Sequence, residues 1–169
     1  MALIWFLGCG GGLFEFELPW QNDDETLDDV PVGSDIGERL PDVPLTDQDG
    51  QPFVISELGG DPGVIEIFSL WAAPSWESLQ VGYEQEYEGV ARVVFVVQDA
   101  VSRPADQDDV DALVEGFGPL EAVWDPTGEA TQLLGGRSVP WYWVLEPDGV
   151  VFDAGPDILV LLDDYDQAR

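Results

Sequence analysis

The sequence predicts an α/β fold in which a mixed central sheet is flanked by helices and opened by an N-terminal hairpin. Three observations carry this. Strand-like and helix-like stretches alternate from Leu45 to the C-terminus, the order expected of α/β layering. Two apolar runs, Val64 to Leu70 and Ala91 to Val97, suit strands buried in the middle of a sheet. Two Asp-Gly pairs, Asp49-Gly50 and Asp148-Gly149, stand where hairpins would turn.

The elements follow in order. Leu45 to Ile55 reads as strand, turn, strand around Asp49-Gly50, with the pair as the turn signal. Asp47 and Asp49 resemble the start of a calcium loop, but the remaining ligands are missing, and the hairpin is the better reading. Val64 to Leu70 is a buried strand and Trp76 to Tyr87 a helix. Ala91 to Val97 is a central strand. Asp106 to Phe117 is a helix with acids in its first turn, which suits the helix dipole. Ala122 to Trp124 is a short strand and Gly128 to Leu134 a short helix. Trp141–Leu145 and Val150–Asp153 form a hairpin across Glu146-Pro147-Asp148-Gly149, and Asp157 to Tyr165 is the closing helix. Strand alternation puts either Trp141 and Trp143 or Tyr142 in the core.

The folded domain is expected over 36–169. Residues 10–35 read as an acidic tether. Gly10, Gly11 and Gly12 are flexible, and Glu15, Glu17, Asp23, Asp24, Glu25, Asp28 and Asp29 have no basic residue among them. Phe14, Phe16 and Trp20 are apolar exceptions that could dock on the domain.

The chain has 169 residues, with 35 acidic side chains against 5 basic ones, all arginine, for a net charge of −30. Ordinary nucleic-acid binding is excluded, because phosphate would be repelled. Docking on an anionic membrane through charge is disfavoured for the same reason. The excess acid reads either as a hydrated surface or as adaptation to high salt, where self-repulsion is screened. Histidine is absent, so no Ser-His-Asp triad, Cys-His pair or histidine-ligated zinc can be built. No metal and no cofactor is expected.

Cys9 is the sole cysteine. It ends Met1-Ala2-Leu3-Ile4-Trp5-Phe6-Leu7-Gly8, a short apolar stretch that resembles a bacterial lipobox. Residues 1–9 then form a lipoprotein-type signal, Cys9 carries the lipid, and the protein sits in the cell envelope, facing the periplasm or exterior. Phe6 replaces the usual leucine, and the stretch lacks a basic region and is shorter than the ~15–30 residues of a signal peptide. A start codon placed too late would explain both. The alternative is an apolar strand with an incidental cysteine. The stretch is far below the ~20 apolar residues of a membrane-spanning helix.

The most informative segment is Trp71-Ala72-Ala73-Pro74-Ser75, which joins a strand to a helix. It matches the redox motif Trp-Cys-x-Pro-Cys except that Ala72 and Ser75 stand in the cysteine positions. Four further segments keep the order of one family. Leu40 to Gly50 looks like an "APDF-L-D-DG" opening, and Ser56-Glu57-Leu58-Gly59-Gly60 like an "L-dL-G-K" turn without its lysine. Val123 to Glu129 matches "LLDPDGE", and Gly136-Arg137-Ser138-Val139-Pro140 matches a Gly-Val-x-x-Val-Pro segment. Over roughly residues 36–165 the chain resembles the TlpA/ResA-like thioredoxin-fold proteins, the redoxin or thiol-disulfide interchange group, with its cysteines replaced.

That resemblance implies a thioredoxin-like fold and a cis peptide bond before Pro140, in a loop beside the former cysteine pair. It implies a groove for an extended peptide lined by Trp71, Pro74, Trp76, Val139, Pro140 and Trp141, with at least one of Trp71 and Trp76 at the surface. Glu66 takes the place of a buried acid that serves the inner thiol in related proteins. Its apolar neighbours predict partial burial and a raised pKa. With no thiol to serve, Glu66 reads as structural, paired with Arg92 or Arg137.

A thiolate is required for thiol-disulfide exchange, and positions 72 and 75 cannot supply one. The reading is therefore a redox-inactive envelope lipoprotein that binds an envelope protein or extended peptide through the former active-site face. The alternative is the parent family's oxidoreductase activity, which would need Cys9 to be free and to reach Ser75. Serine-based hydrolysis at Ser75, with a carboxylate such as Glu66 as base, is a poor prospect.

Overall fold

Gly63–Ser69 (β3) is buried along its whole length, and the sheet is assembled around it. The structure is a computed structural model that describes residues 29–58, 62–84, 90–98, 104–117, 121–135 and 138–169. Its elements are β1 (Leu45–Asp47), β2 (Pro52–Phe53), β3, α1 (Ala73–Glu84), β4 (Ala91–Gln98), α2 (Gln107–Phe117), β5 (Glu121–Trp124), α3 (Glu129–Leu133), β6 (Trp141–Leu145), β7 (Val151–Gly155) and α4 (Ile158–Ala168). A 3-10 turn at Ile55–Glu57 precedes β3. The strands make one seven-stranded sheet in the order β2-β1-β5-β4-β3-β6-β7. β3, β4 and β5 are parallel neighbours, while β6, β7, β1 and β2 join antiparallel. The expected mixed sheet with its N-terminal hairpin is present.

Both faces of the central strands are covered. Ile65 and Ile67 of β3 pack with Val93, Phe95, Val123, Trp143 and Leu145 on one face, under Ala130 and Leu134 around α3. Val64 and Phe68 point the other way. Phe68 meets Leu79 of α1 and Val110 and Leu113 of α2. Val64 packs with Tyr142 and Val144 of β6 and with Ile158, Leu161, Leu162 and Tyr165 of α4. This explains the unbroken apolar runs, since a strand covered twice has no polar face to show. It also places Tyr142 and Trp143 both in the core, on opposite faces of β6, with Trp141 half-buried.

Local chemistry sets the turns. Asp47 Oδ1 accepts the backbone N–H groups of Asp49 (2.9 Å) and Gln51 (2.7 Å), so this acid organises the β1–β2 turn. Gly50 has φ +77° and Gly149 φ +83°, the left-handed conformation that glycine adopts without strain. Asp157 caps α4 by accepting from Leu159 N and Val160 N, a standard N-cap arrangement.

The main departure lies at the N-terminal boundary. Val32 bridges Arg39, and Arg39 bridges Val150. Trp143 Nε1 donates to the Ser34 carbonyl at 3.1 Å. The boundary expected at Ile36 thus falls inside a packed segment, and residues 31–35 belong with the domain. Residues 1–28 lie outside the described residues, and with them Cys9 and most of the tether. Arg137 and residues 85–87, the end of the helix expected to Tyr87, lie outside as well.

Candidate functional site

β3 ends at Ser69, and the chain turns through Leu70 and Trp71 into α1. The turn is held by its own backbone: Ala72 N donates to Ser69 O at 3.1 Å, and Ser75 N to Ala72 O at 2.9 Å. Ser69 N donates to Ser75 Oγ at 3.3 Å, tying the start of the helix back to the end of the strand. Pro74 falls in the first turn of α1, where no intrahelical donor is lost. Ala72 is buried and Ser75 is fully so, at 0 % exposure. The Ser75 hydroxyl is therefore a bonded core group, which agrees poorly with a hydrolytic nucleophile.

The two tryptophans of this loop divide. Trp71 is 52 % exposed. Trp76 is half-buried, stacked on Phe117 at 5.3 Å between ring centroids and edge-on to Phe68 at 5.2 Å. Its indole N–H donates to the Leu70 carbonyl at 2.8 Å. Trp76 supports the loop from beneath, and Trp71 is the one presented outward.

Val139–Pro140 is a cis peptide. The register pairs Ile67 with Trp141, so this bond enters β6 at the same end of the sheet where β3 delivers Trp71 to Ser75. Val139, Pro140 and Trp141 are half-buried there. The structure thus brings Trp71, Pro74 and the cis-proline loop to one end of the sheet, as the resemblance implied.

Glu66 lies three residues before Ser69, roughly 10 Å down the strand. It is fully buried. Arg92 of β4 forms an ion pair with Glu66 Oε2, and Tyr142 of β6 donates its hydroxyl to Glu66 Oε1 at 3.2 Å. Burial raises the carboxyl above its ordinary pKa, while Arg92 and then Tyr142 pull it back. Burial and the adjacent Glu66 carboxylate push the Tyr142 hydroxyl upward. Burial of Glu66 is complete, where partial burial was expected, and of the two partners considered Arg92 is the one in place.

Asp125 carries a role that sequence reading passed over. It is 2 % exposed. Its Oδ1 accepts from Thr127 N, Thr127 Oγ1 and Gly128 N, and its Oδ2 from Thr131 N and Thr131 Oγ1. The signal was present as two threonines and a glycine just after an aspartate. This carboxylate builds the β5–α3 turn and gives the "DPTGE" segment a physical reason. Among the described residues no group of three or more Cys, Asp or Glu is arranged to hold a metal ion.

No protein-family model matches the chain, and no curated protein matches it. Solved structures do. The pneumococcal exposed lipoprotein thioredoxin of Streptococcus pneumoniae superposes with a TM-score of 0.60 at 18% identity, covering 75% of this chain and 99% of its own. A thiol-disulfide oxidoreductase from Bacteroides fragilis gives 0.60 at 15% identity over 78% and 100%. A secreted disulfide oxidoreductase of Mycobacterium tuberculosis gives 0.58 at 16% identity over 76% and 96%. The chain has a thioredoxin-like fold. In this frame the strand–loop–helix at 63–84 and the cis-proline loop at 139–140 lie at the same end of the sheet. The neighbours' thiol-disulfide names accord with the TlpA/ResA-like resemblance, and at these identities they speak for the fold alone.

Proposed function

We propose that the protein is a redox-inactive thioredoxin-like module that binds an envelope protein or an extended peptide through the former active-site face. The observation that carries the reading is the pair Ala72 and Ser75. Neither position holds sulfur, and both are buried, with Ser75 tied to Ser69. Around them the exposed Trp71 and the half-buried Val139–Pro140 loop keep a surface for a strand-like ligand, the kind of segment that pairs through main-chain groups. Envelope location through a lipid on Cys9 belongs to the same proposal. It rests on the lipobox-like residues 1–9 and accords with the exposed and secreted character named for two neighbours.

The test is catalytic and direct. The purified chain should not accelerate disulfide reduction by dithiothreitol, because exchange needs a thiolate. Ala72→Cys with Ser75→Cys should restore part of that activity. Turnover by the unaltered chain would overturn the reading. Expression in a bacterial host from an extended start should give a membrane-associated form that Cys9→Ser releases; equal partitioning of the two forms would remove the anchor.

A further inference from the structure

A cavity of about 370 Å³ opens at the other end of the sheet, lined among others by Arg39, Leu40, Asp42, Ile55, Leu58 and Asp148. Its place follows from the register. Gly63 begins β3 and pairs with Leu145, just before the β6–β7 turn that carries Asp148. Ile55 and Leu58 lead into the same strand end. The loop from Trp71 to Ser75 leaves the opposite end of β3, roughly 20 Å away along the strand. The cavity is separate from the face proposed for partner binding, and its volume falls in the range of roughly 300–1,000 Å³ common for small-molecule sites.

Arg39 sets the chemistry. The chain has 35 acids and only 5 basic residues. Arg92 and Arg169 are each placed against a glutamate. Among the described residues the Arg39 side chain has no hydrogen bond or ion pair. Its backbone is nevertheless fixed, with Arg39 N donating to Pro31 O at 2.8 Å and Gly33 N to Arg39 O at 3.0 Å. Asp42 and Asp148 share the cavity wall. Each commits one oxygen to a backbone N–H, Asp42 to Ser56 at 2.9 Å and Asp148 to Val150 at 3.1 Å. Neither comes within ion-pair distance of Arg39.

We infer that this cavity is a binding site for a small zwitterion with an apolar body, of the kind an aromatic or aliphatic α-amino acid represents. A simple anion would pair with Arg39 but face two carboxylates. A simple cation would leave Arg39 unanswered. A carboxylate and an ammonium on one molecule satisfy both signs, the first by the planar guanidinium fork, the second by the free oxygens of Asp42 and Asp148. Leu40 and Ile55, both in the core, and the half-buried Leu58 form the apolar floor for the rest of the molecule. A neutral ligand also escapes the long-range repulsion of a chain at −30.

The experiment is a titration of the full chain in molar salt, where the Debye length is about 3 Å. The probes are L-phenylalanine, L-leucine, 3-phenylpropanoate and phenethylamine. Saturable binding of at least one amino acid is expected, with L-phenylalanine tighter than either of its half-ligands by on the order of ten- to a hundredfold, the loss expected for one charge-assisted bond. Arg39→Gln should reduce L-phenylalanine to the level of phenethylamine. Arg39→Lys, which keeps the charge without the fork, should fall between. Circular dichroism confirms that each variant is folded. Failure of both amino acids to saturate at millimolar concentration overturns the proposal, as does equal affinity of the wild type and Arg39→Gln. Neither result bears on the catalytic test of the Trp71–Ser75 face.

Discussion

Arg92 neutralises Glu66 from the adjacent strand, two positions out of register: Glu66 of β3 lies opposite Val94, and Arg92 opposite Val64. The offset lets the long arginine reach along one sheet face to a carboxylate that is wholly out of solvent. With the Tyr142 hydroxyl on the other oxygen, Glu66 is held from both neighbouring strands.

Removing Arg92 should leave a buried carboxyl without its partner. Arg92→Leu is expected to cost about 3–5 kcal/mol, measured by denaturant unfolding at neutral pH. The sign of the pH effect follows from the direction of the shift. Burial already holds the Glu66 carboxyl above its ordinary 4.5, and Arg92 opposes that rise. In Arg92→Leu the folded-state pKa climbs further, so the folded chain keeps a proton that the unfolded chain has released. Stability is then full below the unfolded value and falls as pH rises through the folded one. The variant should lose stability as pH rises above the ordinary carboxylate value, and adding Glu66→Gln should flatten the slope. A flat profile for Arg92→Leu alone would contradict the assignment.

Trp71 and Trp76 should part in mutation. Trp76→Ala removes the stack on Phe117 and the edge contact with Phe68, and is expected to destabilise by about 3–5 kcal/mol. Trp71→Ala touches an exposed side chain and should change stability by less than about 0.5 kcal/mol. If partner binding uses this face, Trp71→Ala should weaken it by about 1–3 kcal/mol. Thermal melts of both variants decide the first point, and a loss of stability in Trp71→Ala comparable to that of Trp76→Ala would refute it.

Asp125→Ala should strand the donors of Thr127, Gly128 and Thr131. The expected loss is about 2–4 kcal/mol, with Asp125→Asn milder because one acceptor oxygen remains. Chemical denaturation of the two variants is the check; equal stability of wild type and alanine variant would mean that water replaces the carboxylate at no cost.

Much of this was legible in the residues. The order and type of the elements followed from apolar runs, turn pairs and first-turn acids, because those signals are local. The cis bond at Pro140 was carried by motif order, while the partner of Glu66 was narrowed only to Arg92 or Arg137. What escaped was non-local or blind to composition. Phe117 covers Trp76 from a different helix, so nothing near Trp76 in sequence announced its burial. Residues 31–35 fell into the tether because its signals, Gly10 to Gly12 and the acids up to Asp29, were carried forward to the first strong apolar residue, Ile36. Their attachment uses backbone groups, which every composition supplies. Asp125 sat inside a recognised segment, but its five donors come from a turn whose geometry only the folded chain reveals.

Salt should separate the two readings of the charge. At −30 the folded chain repels itself in dilute buffer, and molar sodium chloride shortens the Debye length to about 3 Å. The melting temperature is expected to rise substantially from low to molar salt. An unchanged melt would leave only a hydrated acidic surface.

The N-terminal segment has a mechanical consequence. Gly37 N donates to Val151 O at 2.9 Å, Val151 N to Glu38 O at 2.8 Å, and Arg39 N to Pro31 O at 2.8 Å. Traction applied to the chain ahead of Asp29 reaches these bonds before it loads any central strand. They stand between the pull and the sheet as a clasp on the edge strand β7. Under rising tension residues 31–39 would peel first, while β3, β4 and β6 kept their register and the face around Trp71, at the far end of the sheet, kept its shape.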